Sequence, residues 1–336
     1  MTMRRSVSVP CGFGLIAVAV LSSTVLVPVA GQRSNEPDSE YTEILAWPRP
    51  ATSAAGTSAP WHFGQVVAVA TTAAGDLLVL HRGAHPIMVF DTDGRIVRSW
   101  GDRLFSNGKV VFIEPGDRVV GESGYTAVYG PAGCYSCGAH SVRVDQSGDI
   151  WVVDAPGHVI YKMDSTGRVV MELGTKGVVG ASQHTFNLPT DVAFGPNGDV
   201  YVSDGYGNAR VVKYSADGQY LLEWGTRGTG PGQFGLPHNL AIDTEGRVYV
   251  TDRDNERVQV FDPDGKFLNE WPDIGGVSAL FMTTGQQLWT GGTLRDLEGD
   301  EVARLPGVSG AHGMTVSDVG EVFVALLSGR VQKFVE

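Results

Sequence analysis

The sequence predicts an all-β fold, a six-bladed β-propeller, on the basis of internal repeats, strand periodicity and a turn-rich composition. Three segments have nearly the same text: GDIWVVD at 148–154, GDVYVSD at 198–204 and GRVYVTD at 246–252. Their surroundings alternate with period two, as strands do, and helical periodicity is almost absent. The 336 residues include 45 glycines and 17 prolines, which suits many short strands joined by turns.

Each copy is followed by the same order of elements, so one repeat unit corresponds to four strands. After 198–204, for example, come an alternating strand at 209–214, a polar turn and a further strand at 219–225. Fainter copies begin at Gly75 and Gly320, and a degraded copy surrounds Gln287. The six units average about 49 residues each, which is the size of a four-stranded blade.

The last unit stops after its third strand and therefore lacks an outer strand. We predict that residues 41–47 supply this strand from the N-terminal side. Such a strand closes the ring and covers an edge that would otherwise expose unpaired backbone groups.

The N-terminal residues 1–31 differ from the rest of the chain and predict a signal peptide. Arg4 and Arg5 precede an apolar run at 12–29, and small residues follow it, as in secretory signals. An uncleaved N-terminal anchor is the alternative. We therefore expect a secreted or periplasmic protein that contacts a membrane only if this segment is retained.

The remaining chain divides into a linker at 32–40 and the propeller at 41–336, with an insertion at about 107–137. The insertion contains strand-like text at 109–113 and 118–120, which predicts a hairpin or loop. It also contains Cys134 and Cys137, for which we expect a short-range disulfide, with a free or metal-bound pair as the alternative.

The charge of the chain excludes one class of function. With 25 basic and 37 acidic residues, the formal net charge is −12. No basic surface for nucleic acid is therefore predicted. The expected partners are small molecules, peptides or cations, and the expected state is a monomer.

Histidines recur at one position of alternate blades. The residue eight before the glycine of the second strand, here called the start position, marks the beginning of each inner strand. The start positions of blades one to six are Val67, His140, Thr190, His238, Ser278 and His312. Alternate blades of a six-fold ring are about 120° apart, so three imidazoles would converge on the channel and leave one side of a tetrahedral metal open. We predict a zinc site, because all three ligands are imidazole nitrogens; a hydrogen-bonded structural role is the alternative for each histidine alone.

The loops between second and third strands lie on the same rim as the start positions. They contribute Arg82 from blade one, Tyr206 from blade three and Arg253 from blade four. Near a metal, these groups are interpreted as a base and an anion clamp. The alternatives are an exposed turn aromatic and solvated or ion-paired arginines. Asp154, Asp204 and Asp252, at the strand ends, are expected to cap turns.

Several motifs together resemble peptidyl-α-hydroxyglycine α-amidating lyase, an NHL-repeat six-bladed propeller. They are LAWP at 45–48, FGQV at 63–66, LHRG at 80–83, LPTDVA at 188–193, SDGYGNAR at 203–210, GQFGLPH at 232–238 and DRDN at 252–255. The resemblance covers nearly all of the chain after residue 31. It implies that His140, His238 and His312 bind zinc, that Tyr206 is the catalytic base, and that Arg82 and Arg253 belong to the active site.

The resemblance also implies a structural calcium ion in the channel. The family holds it with main-chain carbonyls at positions matching Val69 and Val142 and with a carboxylate directly after the third histidine. Here Gly313 follows His312, so calcium stays an open expectation. This chain also departs from the family at Gly310, where the family has a methionine, and at Gly207 and Val260, where it has disulfide cysteines.

The predicted function is that of a zinc-dependent lyase. Such an enzyme cleaves the C–N bond of a peptidyl-α-hydroxyglycine, or a related hemiaminal, to an amide and glyoxylate. This requires the phenol of Tyr206 to lose its proton, and zinc and Arg82 are expected to lower its pKa. The alternatives are a metal-dependent hydrolase of lactonase or esterase type and a non-catalytic extracellular binding protein.

Overall fold

The computed structural model confirms the six-bladed β-propeller, and it describes residues 40–45, 47–49, 51–52, 58–59, 63–106, 109–111, 126–128 and 138–336. Six antiparallel sheets of four strands follow one another along the chain. Their strands, from inner to outer, are Val66–Thr71, Leu77–His81, Ile87–Phe90 and Ile96–Trp100 in blade 1; Ala139–Val144, Ile150–Asp154, Val159–Met163 and Val169–Gly174 in blade 2; Asp191–Phe194, Val200–Asp204, Arg210–Tyr214 and Tyr220–Trp224 in blade 3; Pro237–Ile242, Val248–Asp252, Arg257–Phe261 and Phe267–Trp271 in blade 4; Leu280–Met282, Leu288–Thr290, Thr293–Arg295 and Glu301–Arg304 in blade 5; and Ala311–Val316, Val322–Leu326 and Arg330–Val335 in blade 6.

The ring is closed by the N-terminal strand, as predicted. Thr42–Glu43 pairs antiparallel with the third strand of blade 6, with Thr42 opposite Val335. The strand has two residues rather than the seven expected. Tyr41, just before it, packs edge-on against Trp289 of blade 5, with the ring centroids 5.5 Å apart.

The repeated glycine has a conformational cause. Gly148, Gly198 and Gly246 sit in the turn between inner and second strands with φ between 82° and 85°. Only glycine adopts this region without a Cβ penalty, and this explains why the repeat text begins with it. In the degraded blade 5 the same turn contains Gln286 at φ 57°.

Apolar side chains of neighbouring blades interlock to form the core. Between blades 2 and 3, Trp151 and Val153 pack with Val192 and Val202, and all four are buried. Burying each such side chain contributes roughly 1.5–3 kcal/mol. The interlocked blades form a rigid ring, and the inner strands line its channel.

Other features lie around or outside this ring. Ala51–Thr52 pairs with Ser58–Ala59, and Lys109–Val111 pairs with Thr126–Val128. The remaining residues of the predicted insertion, including 118–120 and the two cysteines, lie outside the described residues, as do the predicted signal peptide and nearly all of the predicted linker. Within the described ranges the one helical element is the 3₁₀ turn Arg253–Asn255. No helix found there has the length and apolar character needed to cross a membrane.

Candidate metal centre and active site

Backbone bulges turn the three histidines towards the channel. The strand register shifts between Ala139 and Ser141, between Pro237 and Leu240, and between Ala311 and Gly313. Each shift leaves a histidine unpaired on its inner strand. A bulge of this kind changes the direction of a side chain. Three equivalent bulges therefore direct the three histidine side chains in the same way, towards the channel.

The three imidazoles meet inside the protein. Ring centroids are 5.0 Å apart for His140 and His238, 4.9 Å for His140 and His312, and 5.1 Å for His238 and His312. Their candidate ligand atoms all lie within 4.8 Å of one another, and all three residues are buried. We call this group the histidine level of the channel.

Each histidine is oriented by the next blade around the ring. The Nδ1 atom of His140 donates to the carbonyl of Thr190 at 2.6 Å, and that of His312 donates to the carbonyl of Val67 at 2.7 Å. The Nδ1 atom of His238 lies 3.1 Å from the carbonyl of Ser278 and 2.7 Å from the Asn239 side-chain oxygen. Because carbonyls only accept, Nδ1 carries the hydrogen and the lone pair of Nε2 is available. Backbone partners of this kind are usual behind metal-binding histidines.

The sequence analysis missed these partners, although its alignment contained them. Thr190, Ser278 and Val67 occupy the start positions of the odd-numbered blades. A start position therefore supplies an imidazole in even blades and a carbonyl in odd blades. The carbonyl role depends on the backbone alone, so residue type does not reveal it.

Tyr206 joins the histidine level directly. Its hydroxyl lies 2.8 Å from Nε2 of His140 and 3.1 Å from Nε2 of His238. The residue is 3% exposed, which excludes the exposed turn aromatic considered above. A phenol has one hydrogen and can donate to only one of these lone pairs at a time. The site thus offers more lone pairs than its phenol can satisfy, which suits a bound cation.

A tight loop brings Tyr206 to this place. A Cβ atom at Gly205 would lie 1.9 Å from the carbonyl oxygen of Pro237, so only glycine lets the loop pass this close to blade 4. The Tyr206 side chain then packs with Leu188 and Leu236, which are also buried.

Both predicted arginines surround the phenol. The guanidinium of Arg253 lies over the Tyr206 ring, 5.7 Å from its centroid. Arg82 donates from Nε to the carbonyl of Ala139 at 3.0 Å and from a terminal nitrogen to Gln65 at 2.9 Å. Its charge also acts on Tyr206 and on His140.

The histidines are held neutral. Burial, then the neighbouring imidazoles of His312 and His238, keeps the pKa of His140 well below its usual value. Burial, then Arg253 and His312, does the same to the pKa of His238. The pKa of His312 falls to about 4 because of burial and Arg82. Neutral imidazole is the form that binds a metal.

Arg82 acts on the pKa of Tyr206 in the expected direction, but the protein groups alone do not bring this pKa below its usual value. Burial raises this pKa, and the opposing effects of Arg253 and Arg82 are smaller. An additional positive charge close to the phenol is needed to favour its deprotonated form.

The aspartates at the strand ends hold preceding loops as well as groups of their own turns, where Asp154 accepts from the backbone nitrogen of Gly157 at 3.2 Å. Asp204 accepts a hydrogen bond from the backbone nitrogen of Asn187 at 2.8 Å, and Asp252 accepts one from Gly235 at 2.8 Å. Asp154 accepts one from Ser106 at 2.8 Å. Each of these donors precedes the inner strand of the same blade, so the carboxylates position the loops that lead to the start positions.

Comparison with known proteins is consistent with this geometry. The NHL repeat family matches at residues 186–214 and 234–261. A probable peptidyl-alpha-hydroxyglycine alpha-amidating lyase of Caenorhabditis elegans is 30% identical over 287 residues, which cover 74% of this chain and 79% of that protein. This chain belongs to the peptidyl-α-hydroxyglycine α-amidating lyase family.

Other proteins that are similar to this amidating lyase family member have different names and lengths. The peptidylglycine alpha-amidating monooxygenase of Rattus norvegicus is 33% identical over 60% of this chain, which spans 21% of that protein. The NHL repeat-containing protein 3 of Homo sapiens is 34% identical over 60% of this chain and 54% of its own length. A solved streptogramin B lyase has a TM-score of 0.55 at 14% identity, covering 88% of this chain and 97% of its own, and supports the fold alone.

Proposed function

We propose that this chain is a zinc-dependent carbon–nitrogen lyase that cleaves a peptidyl-α-hydroxyglycine, or a related hemiaminal, to an amide and glyoxylate. The observation that carries the proposal is the contact of the Tyr206 hydroxyl with two of three converging Nε2 atoms. The names of the relatives supply the substrate class. At 30% identity this class is a proposal for the present chain.

The donor set fits zinc. His140, His238 and His312 would hold the ion through Nε2, since each Nδ1 is occupied by a carbonyl. Three neutral nitrogen ligands with a fourth position open are typical of catalytic zinc. When bound, zinc acidifies a hydroxyl group and stabilises negative charge beside it.

Tyr206 is proposed to take the proton of the substrate hydroxyl. As the O–H bond breaks, the oxygen forms a double bond to carbon, and the C–N electron pair leaves with the amide nitrogen. That nitrogen takes this proton back from Tyr206 to become the carboxamide, and the carbon fragment departs as glyoxylate. Arg253 and Arg82 favour the deprotonated form of Tyr206 that accepts this proton, and a zinc ion held by the imidazoles would supply the further positive charge needed to offset burial.

The two arginines are proposed to have different roles. Arg82 uses two of its nitrogens to bind Ala139 and Gln65, so it acts mainly through its charge. The side chain of Arg253 is 18% exposed, and its Nε atom and one terminal nitrogen lie 3.3 and 3.4 Å from a carboxylate oxygen of Asp254, longer than the contacts of Arg82. We assign the substrate carboxylate to Arg253, since guanidinium groups bind carboxylates in a planar, charge-assisted geometry.

A non-catalytic binding protein is the second candidate, favoured by the similarity to a relative named only for its repeats. Metal analysis after dialysis against a weak chelator separates the two, because a scaffold should contain no stoichiometric zinc. The zinc-loaded protein is then given α-hydroxyhippurate. The proposal predicts benzamide and glyoxylate in equal amounts, and absence of glyoxylate from a zinc-loaded sample would refute it. A hydrolase acting on lactones or esters would fail the same assay.

A further inference from the structure

A second polar group lies in the channel, next to the histidine level. Arg143 is three residues after His140 on the inner strand of blade 2, and its terminal nitrogen lies 2.6 Å from a carboxylate oxygen of Asp191. Its Nε atom lies 3.2 Å from the other oxygen, so the pair is bidentate. Asp191 directly follows Thr190 in blade 3 and is fully buried, while the Arg143 side chain is 15% exposed. We call this pair the arginine level.

The arginine level connects four blades. From blade 2, Arg143 reaches Asp191 in blade 3, and it also approaches the carbonyls of Leu240 in blade 4 at 3.5 Å and Leu280 in blade 5 at 3.2 Å. Asp191 in turn accepts from the backbone nitrogen of Leu240 at 3.1 Å and from the hydroxyl of Ser141. One guanidinium thus binds a carboxylate and two carbonyls. These oxygen atoms are of the kind that hard cations take as ligands.

The two carbonyls lie where the resemblance placed a calcium ion. Leu240 and Leu280 are two residues after the start positions of blades 4 and 5. Val69 and Val142 are two residues after those of blades 1 and 2. By repeat equivalence, all four carbonyls belong to the same level of the channel, and the guanidinium of Arg143 reaches two of them, those of Leu240 and Leu280.

The opposite wall has no room for the carboxylate that calcium would require. A Cβ atom on Gly313 would lie 2.8 Å from Cα of Ala68 and 2.9 Å from the carbonyl oxygen of Val67. These are backbone atoms of blade 1 and cannot move aside without shifting the inner strand. The residues present therefore do not fit the calcium ion implied by the family.

We propose that the guanidinium of Arg143 is a resident cation that replaces a bound divalent metal ion in the channel. It neutralises Asp191 and ties blades 2 to 5 together at the level of these carbonyls. The chain is then independent of calcium, and the histidine level is the one part of the channel, within the described residues, that we assign to a metal.

The first test uses the unaltered, zinc-loaded protein. It is titrated with CaCl₂ by calorimetry in calcium-free buffer, and its melting temperature is measured with and without millimolar Ca²⁺. We expect neither stoichiometric binding nor a change in Tm. Tight binding of one Ca²⁺ per chain, or a Tm that rises with Ca²⁺, would overturn the proposal, and neither readout depends on enzymatic activity.

The second test removes the guanidinium. Arg143→Ala leaves a buried carboxylate without its cation and is expected to lower Tm by about 5–15 °C. Adding Asp191→Asn should recover part of that loss. Ca²⁺ should raise the Tm of Arg143→Ala, because the carboxylate and the carbonyls become available to it.

Arg257→Ala is the matched control. Arg257 is similarly buried and paired with the fully buried Asp252, but it lies on the third strand of blade 4, away from the channel. This variant should also melt earlier, but without a response to Ca²⁺. The proposal is wrong if Arg143→Ala is as stable as the parent protein, or if its Tm responds to Ca²⁺ no more than that of the control.

Discussion

The histidine level and the arginine level are built from neighbouring positions of the same repeat, but only the arginine level contains a cationic side chain among its own members. The histidine level gathers three neutral imidazoles and a phenol, all with lone pairs directed at one point. The arginine level gathers a carboxylate and carbonyls around a guanidinium of the chain itself. The channel of this propeller thus contains oxygen and nitrogen atoms suited to a cation at both levels. At the arginine level a side chain of the protein itself provides the cation.

The difference also separates stability from function. The guanidinium at the arginine level is bound to acceptors of the protein itself. At the histidine level a carbonyl binds each Nδ1 atom, and the Nε2 atoms of His140 and His238 face the hydroxyl of Tyr206. Chemistry is therefore expected at the histidine level, and changes to the two levels should affect different measurements.

The largest expected effect comes from removing one imidazole. His140→Ala should lose stoichiometric zinc and with it all measurable glyoxylate release, because two imidazoles leave an incomplete ligand set. Metal analysis and the glyoxylate assay check this result. His85→Ala is the control, since His85 is exposed and paired with Asp102 on a surface loop. Full zinc content in His140→Ala would contradict the assignment.

Removing the phenol oxygen should separate metal binding from turnover. Tyr206→Phe is expected to keep zinc and to lower kcat by about 10²- to 10⁴-fold, the usual contribution of a positioned base. Parallel measurement of zinc content and kcat distinguishes the roles. If the variant also loses its metal, the phenol is a ligand or a structural support rather than the base proposed here.

A smaller effect is expected for the arginine assigned to the substrate carboxylate. Arg253→Gln should raise KM by roughly 10- to 100-fold, which corresponds to the loss of a charge-assisted hydrogen bond. Arg304→Gln removes a guanidinium paired with Glu301 on the outer strand of blade 5 and should leave KM unchanged. An unchanged KM in Arg253→Gln would assign the carboxylate to another group.

The last expected effect concerns stability and not turnover, and is an acid-dependent loss of stability at a histidine outside both levels. His81 accepts a hydrogen bond at Nδ1 from Gly64, the reverse of the channel histidines, and burial lowers its pKa to about 4. His81 therefore binds a proton below about pH 6.5 in the unfolded chain, but only below about pH 4 in the folded chain. The free energy of unfolding should therefore fall by up to roughly 3 kcal/mol because of His81 as the pH decreases from about 6.5 to about 4.

Urea unfolding at neutral and at acidic pH measures this contribution. His81→Asn keeps an acceptor near Gly64 without a titratable ring, so its stability should fall less steeply between the two pH values. Equal slopes for the variant and the parent protein would show that His81 does not cause the acid dependence.

The fold and the convergence of the three histidines could be predicted from the sequence because both depend on repetition. The turn glycines recur since their φ angles require them, and this sets the blade count and the start positions. The alternation of His140, His238 and His312 then follows from the alignment. Blade 5 was harder to recognise because its strands have three or four residues and its second and third strands are joined by only two.

The other interactions could not be read from the repeat. The carbonyl partners of the imidazoles depend on the backbone and not on residue type. Arg143 occurs once in an inner strand, without a repeated counterpart, and its partner Asp191 is 48 residues away. The pKa of Tyr206 depends on a balance between burial and two arginines that only the packed loops determine.

The most direct test of the central claim is diffraction from zinc-loaded crystals at the zinc absorption edge. The account predicts a single anomalous peak in the channel, about 2.0–2.1 Å from Nε2 of His140, His238 and His312. It also predicts that Arg143 remains bound to Asp191 without a second peak beside it. A channel with no peak, or a peak that one of the three imidazoles does not reach, would contradict it.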